Sequence, residues 1–401
     1  MLRAWLALTC LVCGAAGFGA APMARHVAGA SAPLLRAGSR LRPAAVAMQA
    51  PGTEPKASET NAEAEDGSGG VRQLLGLKGA KEATGEEFLN WKIRLQLTKP
   101  ATWVPLIWGV ACGAAASGNY HAVWNLFGDA PTTDSLGVVG TDTLKAICAM
   151  ILAGPFMCGF TQTINDWYDR ELDAINEPYR PIPSGKIKPW EVYSQMAFLL
   201  VGAIVLALQL DGWAGNDWPV ITAVASFGTF MAYIYSAPPL KLKSEGWLGT
   251  YALGSSYIAL PWWCGHAMFN ANSIGAEEVV LTILYSIAGL GIAIVNDFKS
   301  IEGDSALGMN SLPVAFGVDT AKWICVASID VTQLGVAAYL YAIGEPLYAA
   351  ILFGLVLPQM FSQISFVQDP VANDVKYQAA AQPFLVFGIL TTALAVGHHT
   401  F

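Results

Sequence analysis

Charge is what this chain has least of. Only 13% of its 401 residues are Asp, Glu, Lys or Arg, while 54% are hydrophobic, and the mean hydropathy is +0.44. A soluble globule carries about 25% charged residues, so the balance excludes one and points to a chain that crosses a bilayer repeatedly. Basic residues are the scarcer sign: 22 Lys and Arg against 30 Asp and Glu, a net charge of −8. Five of the Arg fall in residues 1–52, which hold no Lys and no acid, so the rest of the chain is more acidic than the total. That surface excludes nucleic acid as a partner. Cysteine is sparse and odd in number, at seven. Cys10 and Cys13 lie near the N-terminus; Cys112, Cys148, Cys158, Cys264 and Cys325 stand singly in apolar runs. Without paired or metal-ligand spacing they read as small buried hydrophobes. A Ser/His/Asp or Cys/His arrangement is missing too, so any chemistry must rest on other groups.

What is present is apolar length. Nine stretches, at roughly 101–117, 143–164, 190–210, 218–236, 247–269, 278–297, 320–342, 347–367 and 377–398, approach the ~20 residues a bilayer-spanning helix needs. The expected fold is an all-α, polytopic membrane bundle, with Gly and Ala plentiful in several spans for close helix packing. Residues 86–97 mix Phe88, Trp91, Ile93 and Leu95 with charges, which predicts an interfacial helix before the first span. From Glu86 onward there are 13 Lys and Arg, and all but Lys145 precede the first span or lie in or beside the even-to-odd connections. The positive-inside rule puts those segments in the cytoplasm-equivalent compartment and the C-terminus opposite.

The few charges cluster. At the end of the second stretch comes Asn165-Asp166-Trp167-Tyr168-Asp169-Arg170-Glu171-Leu172-Asp173. Asp166, Asp169 and Asp173, at i, i+3 and i+7, share one helix face. Two carboxylates 4 Å apart repel by about 4 kcal/mol at an effective dielectric of 20, so a cation must offset them. Mg²⁺ suits, because it takes one or two carboxylates and completes its shell with phosphate oxygens and water. A second cluster follows the sixth stretch: Asn296-Asp297-Phe298-Lys299-Ser300-Ile301-Glu302-Gly303-Asp304. Asp297 and Asp304 share a face if the helix continues. Two acidic groups at the same boundary suit a two-metal clamp on a diphosphate. The alternative is a solvated loop at a membrane surface.

Cations flank the first cluster. Pro178, Pro181, Pro183 and Pro189 stiffen the loop that holds Arg180, whose planar guanidinium suits phosphate oxygens; it could equally be a membrane-boundary anchor. After the fourth stretch, Tyr235-Ser236-Ala237-Pro238-Pro239-Leu240-Lys241-Leu242-Lys243 ends a helix before two lysines. Lys241 or Lys243 could neutralise a leaving diphosphate, or simply obey the positive-inside rule. Tyr235 could cap the diphosphate or belong to the aromatic belt. His266, beside Trp262 and Trp263, could meet a pigment or be satisfied by another helix.

The pattern Asn-Asp-x-x-Asp-x-x-x-Asp on the second span, a second acidic motif after the sixth, and nine spans resemble the intramembrane prenyltransferase superfamily of the UbiA type. The longer runs 162–185, 235–243 and 296–317 are narrower, and are similar to the branch that esterifies chlorophyllide. The resemblance covers about 86–401. It implies that Asp166, Asp169, Asp173, Asp297 and Asp304 bind Mg²⁺, and that Asn165, Arg180, Lys241, Lys243 and Tyr235 help hold the diphosphate. Ser300 stands where some members have Asp. The implied reaction joins a phytyl or geranylgeranyl group, from its diphosphate, to the ring-D propionate of chlorophyllide. The implied setting is membrane lipid, with pigment-binding or photosystem-assembly proteins as candidate partners. Rival readings are a prenyltransferase for a quinone or tocopherol head group, an acid-lined cation carrier and a non-catalytic pigment scaffold.

The N-terminal residues stand outside that resemblance. Arg3, an apolar core from Ala4 to Ala16, and small residues thereafter read as a secretory signal; 23–50, with four Arg and no acid, have transit-peptide composition. In series they resemble the two-part leader of proteins imported into a plastid bounded by extra membranes. The expected organisation is a leader at 1–50, a disordered acidic linker at 51–85 and a transmembrane domain at 86–401, with the site facing the stroma in a thylakoid or inner plastid membrane.

Overall fold

Each apolar stretch named above becomes helical, because in lipid a backbone can satisfy its N–H and C=O groups only internally. The computed structural model describes residues 90–124 and 133–400, except 273, 296, 299, 307 and 309. The predicted leader and linker lie outside the described residues. The described residues belong to one unit, Ser68–Phe401, and among them no strand occurs.

The order is α1 (Asn90–Leu97), a 3₁₀ turn (Pro100–Trp103), α2 (Val104–Ala116), α3 (Thr133–Ile151), a π-helical stretch (Leu152–Cys158) and α4 (Gly159–Asn176). Then come α5 (Pro189–Ala214), α6 (Val220–Ser236), α7 (Trp247–Phe269), α8 (Ala276–Val295), the short α9 (Ile301–Ala306) and α10 (Leu312–Phe316), and α11 (Val318–Ala342), α12 (Pro346–Gln368) and α13 (Pro370–Thr400). Among the described residues six helices are long and apolar enough to cross a membrane; Pro100–Ala116 and Val220–Ser236 are apolar but shorter. All nine predicted stretches fall on helices, though length and hydropathy alone qualify six.

Small residues set the closest approaches. A Cβ on Gly113 would lie 1.9 Å from the Trp262 carbonyl oxygen, and one on Gly265 would lie 2.1 Å from that of Val110. The backbones of α2 and α7 therefore touch, as the abundance of Gly predicts. Helix α13 closes onto α2 and α8: Trp108 Nε1 donates to the Val386 carbonyl (3.2 Å), and the Tyr285 hydroxyl lies 2.6 Å from Thr392 Oγ1. The end of α13 comes back beside the loop after α2, where a Cβ on Gly118 would sit 2.5 Å from Thr400 Oγ1.

Helix α1 buries Ile93 and Leu97 against Ile187 and Val192, with Trp167 packed alongside. One sequence expectation changes. The chain breaks between Val295 and Ile301, so Asp297 and Asp304 do not share one helix. A Gly-containing turn of α9 carries Asp304 instead.

Candidate active site

Four segments meet at one end of the bundle. The 3₁₀ turn before α2 begins from Lys99, whose backbone is left-handed (φ 45°). That conformation turns the chain and lets the Lys99 side chain run inward, where Nζ lies 2.5 Å from Asp166 Oδ1. Both residues are buried. In the sequence Lys99 reads only as one of the cations that precede the first span.

The face of α4 carries the three acids as their spacing requires. Arg180, in the proline-rich loop, reaches back to Asp173 Oδ2 (2.7 Å) and Asp166 Oδ1 (3.3 Å) and also pairs with Glu177. Burial disfavours its charge, but the carboxylates of Asp166, Asp173 and Glu177 more than compensate and hold its pKa above the ordinary value. Lys243, just after α6, pairs with Asp169 Oδ1 (2.5 Å) and donates to Asn165 Oδ1 (3.0 Å). Burial still depresses its pKa in spite of Asp169, and the neighbouring Lys241 charge adds to that. Lys241 itself bends the chain with a left-handed backbone (φ 39°). Ser236 Oγ approaches Asn165 Oδ1 (3.4 Å), closing α6 onto α4. Arg170 does not join: it stacks over Trp167 (4.7 Å) and pairs with the exposed Glu171 (3.4 Å).

The second cluster lies on the adjoining loop. A Cβ on Gly246 would fall 1.5 Å from the Asn310 carbonyl, so the loop carrying Lys243 and the loop ending the second motif are in contact. Tyr235, at the end of α6, lines an apolar cavity. The Asp297 carboxyl is pushed up to about 7, first by burial and then by the charge of Asp304. Ser300 Oγ donates to Asp304 Oδ2 (3.1 Å). Phe298 turns the other way, buried and edge-on to Phe366 (5.3 Å), which stacks on Tyr377 (4.6 Å). Asn296 and Lys299 lie outside the described residues.

The two clusters differ in their readiness for a divalent cation. Asp166, Asp169 and Asp173 already have cationic partners, and among the described residues no set of three or more His, Cys, Asp or Glu is arranged to hold a metal. Asp297 is a half-buried carboxyl whose ionisation the charge of Asp304 disfavours further, the kind of donor pair whose mutual repulsion a divalent cation relieves.

Below Tyr235 an apolar cavity opens between the π-helical stretch, α6 and α7, with Leu106 of α2 and Thr161 of α4 at its edges. Its wall near the clusters carries the polar residues Cys158, Thr161 and Tyr257; Gln162 donates to the Tyr257 hydroxyl (3.1 Å). His266 belongs to neither cluster: its Nε2 lies 3.3 Å from Asn270 Nδ2 and 3.6 Å from Glu278 on α8, while its buried Nδ1 has no hydrogen-bond partner among the described residues. The five cysteines among the described residues are all free, four of them buried.

A helical membrane bundle with acids and cations gathered over a long apolar cavity is the architecture of an enzyme that handles amphiphilic anions. The chain matches the UbiA prenyltransferase family over residues 135–387, more than half its length, and belongs to that family. It is 59% identical over 327 residues to the chloroplastic chlorophyll synthase of Avena sativa, covering 81% of each chain. It is 56% identical over 347 residues to that of Arabidopsis thaliana, covering 86% of this chain and 84% of the relative. A solved structure of digeranylgeranylglyceryl phosphate synthase superposes with a TM-score of 0.58 at 21% identity, over 76% of this chain and 98% of that one. That likeness establishes the fold.

Proposed function

We propose that this prenyltransferase joins a phytyl or geranylgeranyl group, from its diphosphate, to the ring-D propionate of chlorophyllide, in a plastid membrane with the acid clusters facing the stroma. The acceptor is supported by the identity to plant chlorophyll synthases over four fifths of the chain. The observation that carries the chemistry is the gathering of Lys99, Arg180 and Lys243 with Asp166, Asp169 and Asp173 at the mouth of an apolar cavity.

Charge dictates the division of labour. Arg180, Lys99 and Lys243 present N–H donors where a diphosphate would sit, and such donors are worth most where negative charge grows as the leaving group departs. Asp297 and Asp304, with the α4 acids once their cations turn to phosphate, would hold Mg²⁺. The bound cation would supply positive charge against the diphosphate as it departs. The apolar walls exclude water, so the allylic carbon keeps its positive character for the acceptor. The propionate is ionised near neutral pH, with a carboxylate pKa of about 4, and attacks that carbon without a base. This agrees with a site that has no Ser/His/Asp set.

The test is purified protein with chlorophyllide, phytyl diphosphate and Mg²⁺, assayed for the ester. Asp166→Ala is expected to lose at least about 10³-fold in turnover while still inserting into membranes. Alkylation of a quinone precursor with chlorophyllide left untouched would overturn the acceptor, and near-normal turnover in Asp166→Ala would overturn the site.

A further inference from the structure

One carboxylate belongs to neither cluster. Asp330 sits half-buried, midway along α11 and inside a span, where an ionisable side chain is costly and rarely idle. Its Oδ1 accepts from Gln363 Nε2 on α12 (2.8 Å), and the same nitrogen donates to the Tyr377 hydroxyl on α13 (3.2 Å). Three helices therefore meet at one amide. About one turn along α11 and α12, Gln333 donates to Gln359 (3.1 Å), a second polar rung between the same two helices.

From that junction a stack of rings leads to the second cluster. The Tyr377 ring stacks on Phe366 (4.6 Å between centroids, 21° between planes), and Phe366 meets Phe298 edge-on (5.3 Å, 90°). Both arrangements are the ones an aromatic quadrupole favours, so each ring constrains the direction of the next. All three rings and Gln363 are buried. Phe298 directly follows Asp297 in the chain. The backbone around them is closed into a turn: the Asp297 N–H donates to the Ile294 carbonyl (2.9 Å), and the Ser300 N–H donates to the Asp297 carbonyl (3.2 Å). With the turn closed and the Phe298 ring seated in the core, the direction of Asp297 follows from that of Phe298. The hydroxyl of Tyr377 supplies the fixed point, because its ring cannot slide along Phe366 without losing Gln363.

We propose that the series Asp330, Gln363, Tyr377, Phe366 and Phe298 positions the Asp297 carboxylate for the divalent cation, so that Asp330 is a positioning residue and no part of an ion path. The inference rests on reading Asp297 as a cation ligand. What Asp330 must provide is an oxygen that accepts from Gln363. An amide carbonyl can provide one, and a hydrocarbon cannot.

The readout is Mg²⁺ affinity, not turnover. Purified full-length protein in detergent at pH 8 is melted over a series of Mg²⁺ concentrations, and the rise in melting temperature yields the dissociation constant. Groups that orient a metal ligand are worth about 10–100-fold in affinity. Phe366→Leu is expected to raise the constant at least about tenfold, and Asp330→Leu at least about fivefold. Asp330→Asn keeps the carbonyl and should stay within about twofold of the unsubstituted protein. Leu210→Ala controls for stability alone. It truncates a buried side chain near the end of α5 away from the clusters, so it should lower the melting temperature without Mg²⁺ and leave the constant unchanged. Loss of affinity in Leu210→Ala to match Phe366→Leu would reduce the rings to general packing and overturn the proposal. Equal losses in Asp330→Asn and Asp330→Leu would assign the effect to charge and overturn it too. Unchanged affinity in Phe366→Leu and Asp330→Leu, with affinity lost in Asp297→Asn, overturns the positioning role alone. Unchanged affinity in Asp297→Asn overturns the reading of Asp297 as a ligand, and the inference with it.

Discussion

Lys99 Nζ and Asp166 Oδ1 lie 2.5 Å apart across 67 residues of chain. The pair ties the turn entering α2 to the acidic face of α4. Removing one partner of a buried ion pair costs about 3–5 kcal/mol, because the other charge is left uncompensated. Lys99→Met is therefore expected to lower thermal stability in detergent measurably. It should also weaken binding of a prenyl thiolodiphosphate by about tenfold or more, since a charged donor to phosphate is worth about 1.5–3 kcal/mol. Loss of stability with affinity unchanged would reduce Lys99 to a structural strut.

Arg180 touches Asp166, Asp173 and Glu177 at once. A lysine has one point charge where the guanidinium has a planar fork. Arg180→Lys should therefore fail to substitute, with kcat/KM for the diphosphate down by about 10²-fold, near 3 kcal/mol. A steady-state comparison of Arg180→Lys with Arg180→Ala checks this: equal losses support the fork, and near-complete rescue by Lys argues for charge alone.

The Asp297 carboxyl, pushed up to about 7 by burial and by Asp304, makes two linked predictions. Protonation competes with cation binding, so Mg²⁺ affinity should fall as pH drops below 7, by up to about tenfold per unit. Without metal, a carboxyl whose folded pKa is raised binds its proton more tightly in the folded state. Its stabilising contribution is then full below about pH 4 and lost as pH rises through 7. Melting temperatures at pH 6 and pH 8, with and without Mg²⁺, check both: the rise on adding Mg²⁺ should be larger at pH 8. Asp297→Asn should remove the difference.

Gly113 and Gly265 let α2 and α7 touch. Any side chain there meets backbone rather than a movable side-chain tip, and overpacking of this kind costs about 1–3 kcal/mol or more. Gly113→Ala should lower the melting temperature in detergent by several degrees, whereas Gly137→Ala, in exposed helix with nothing within 4 Å, should not lower it.

The helices and the acidic face of α4 were legible because both depend on period: about twenty apolar residues make a span, and i, i+3, i+7 make a face. Arg180 was legible because four prolines confine its loop. Lys99 was not, since a lone lysine before a span looks the same whether it faces headgroups or a carboxylate 67 residues away. The break after Val295 was hidden as well. Asp297 and Asp304 are spaced for a continuous helix, and only the turn that buries Phe298 against Phe366 shows that the chain bends there. The cavity is a tertiary product of a π-helical stretch and two separate helices. Pro155 marks the π-helical stretch as irregular, but nothing in sequence says which helices it will face.

The first cluster arrives with its charges already matched, each α4 aspartate on a lysine or arginine. An incoming anion therefore meets little long-range pull, and turnover becomes a trade of partners: phosphate takes the cations as they leave their carboxylates. Capture by such a site should be governed by delivery along the bilayer and depend only weakly on ionic strength, unlike an enzyme that draws its substrate in from water through an open field.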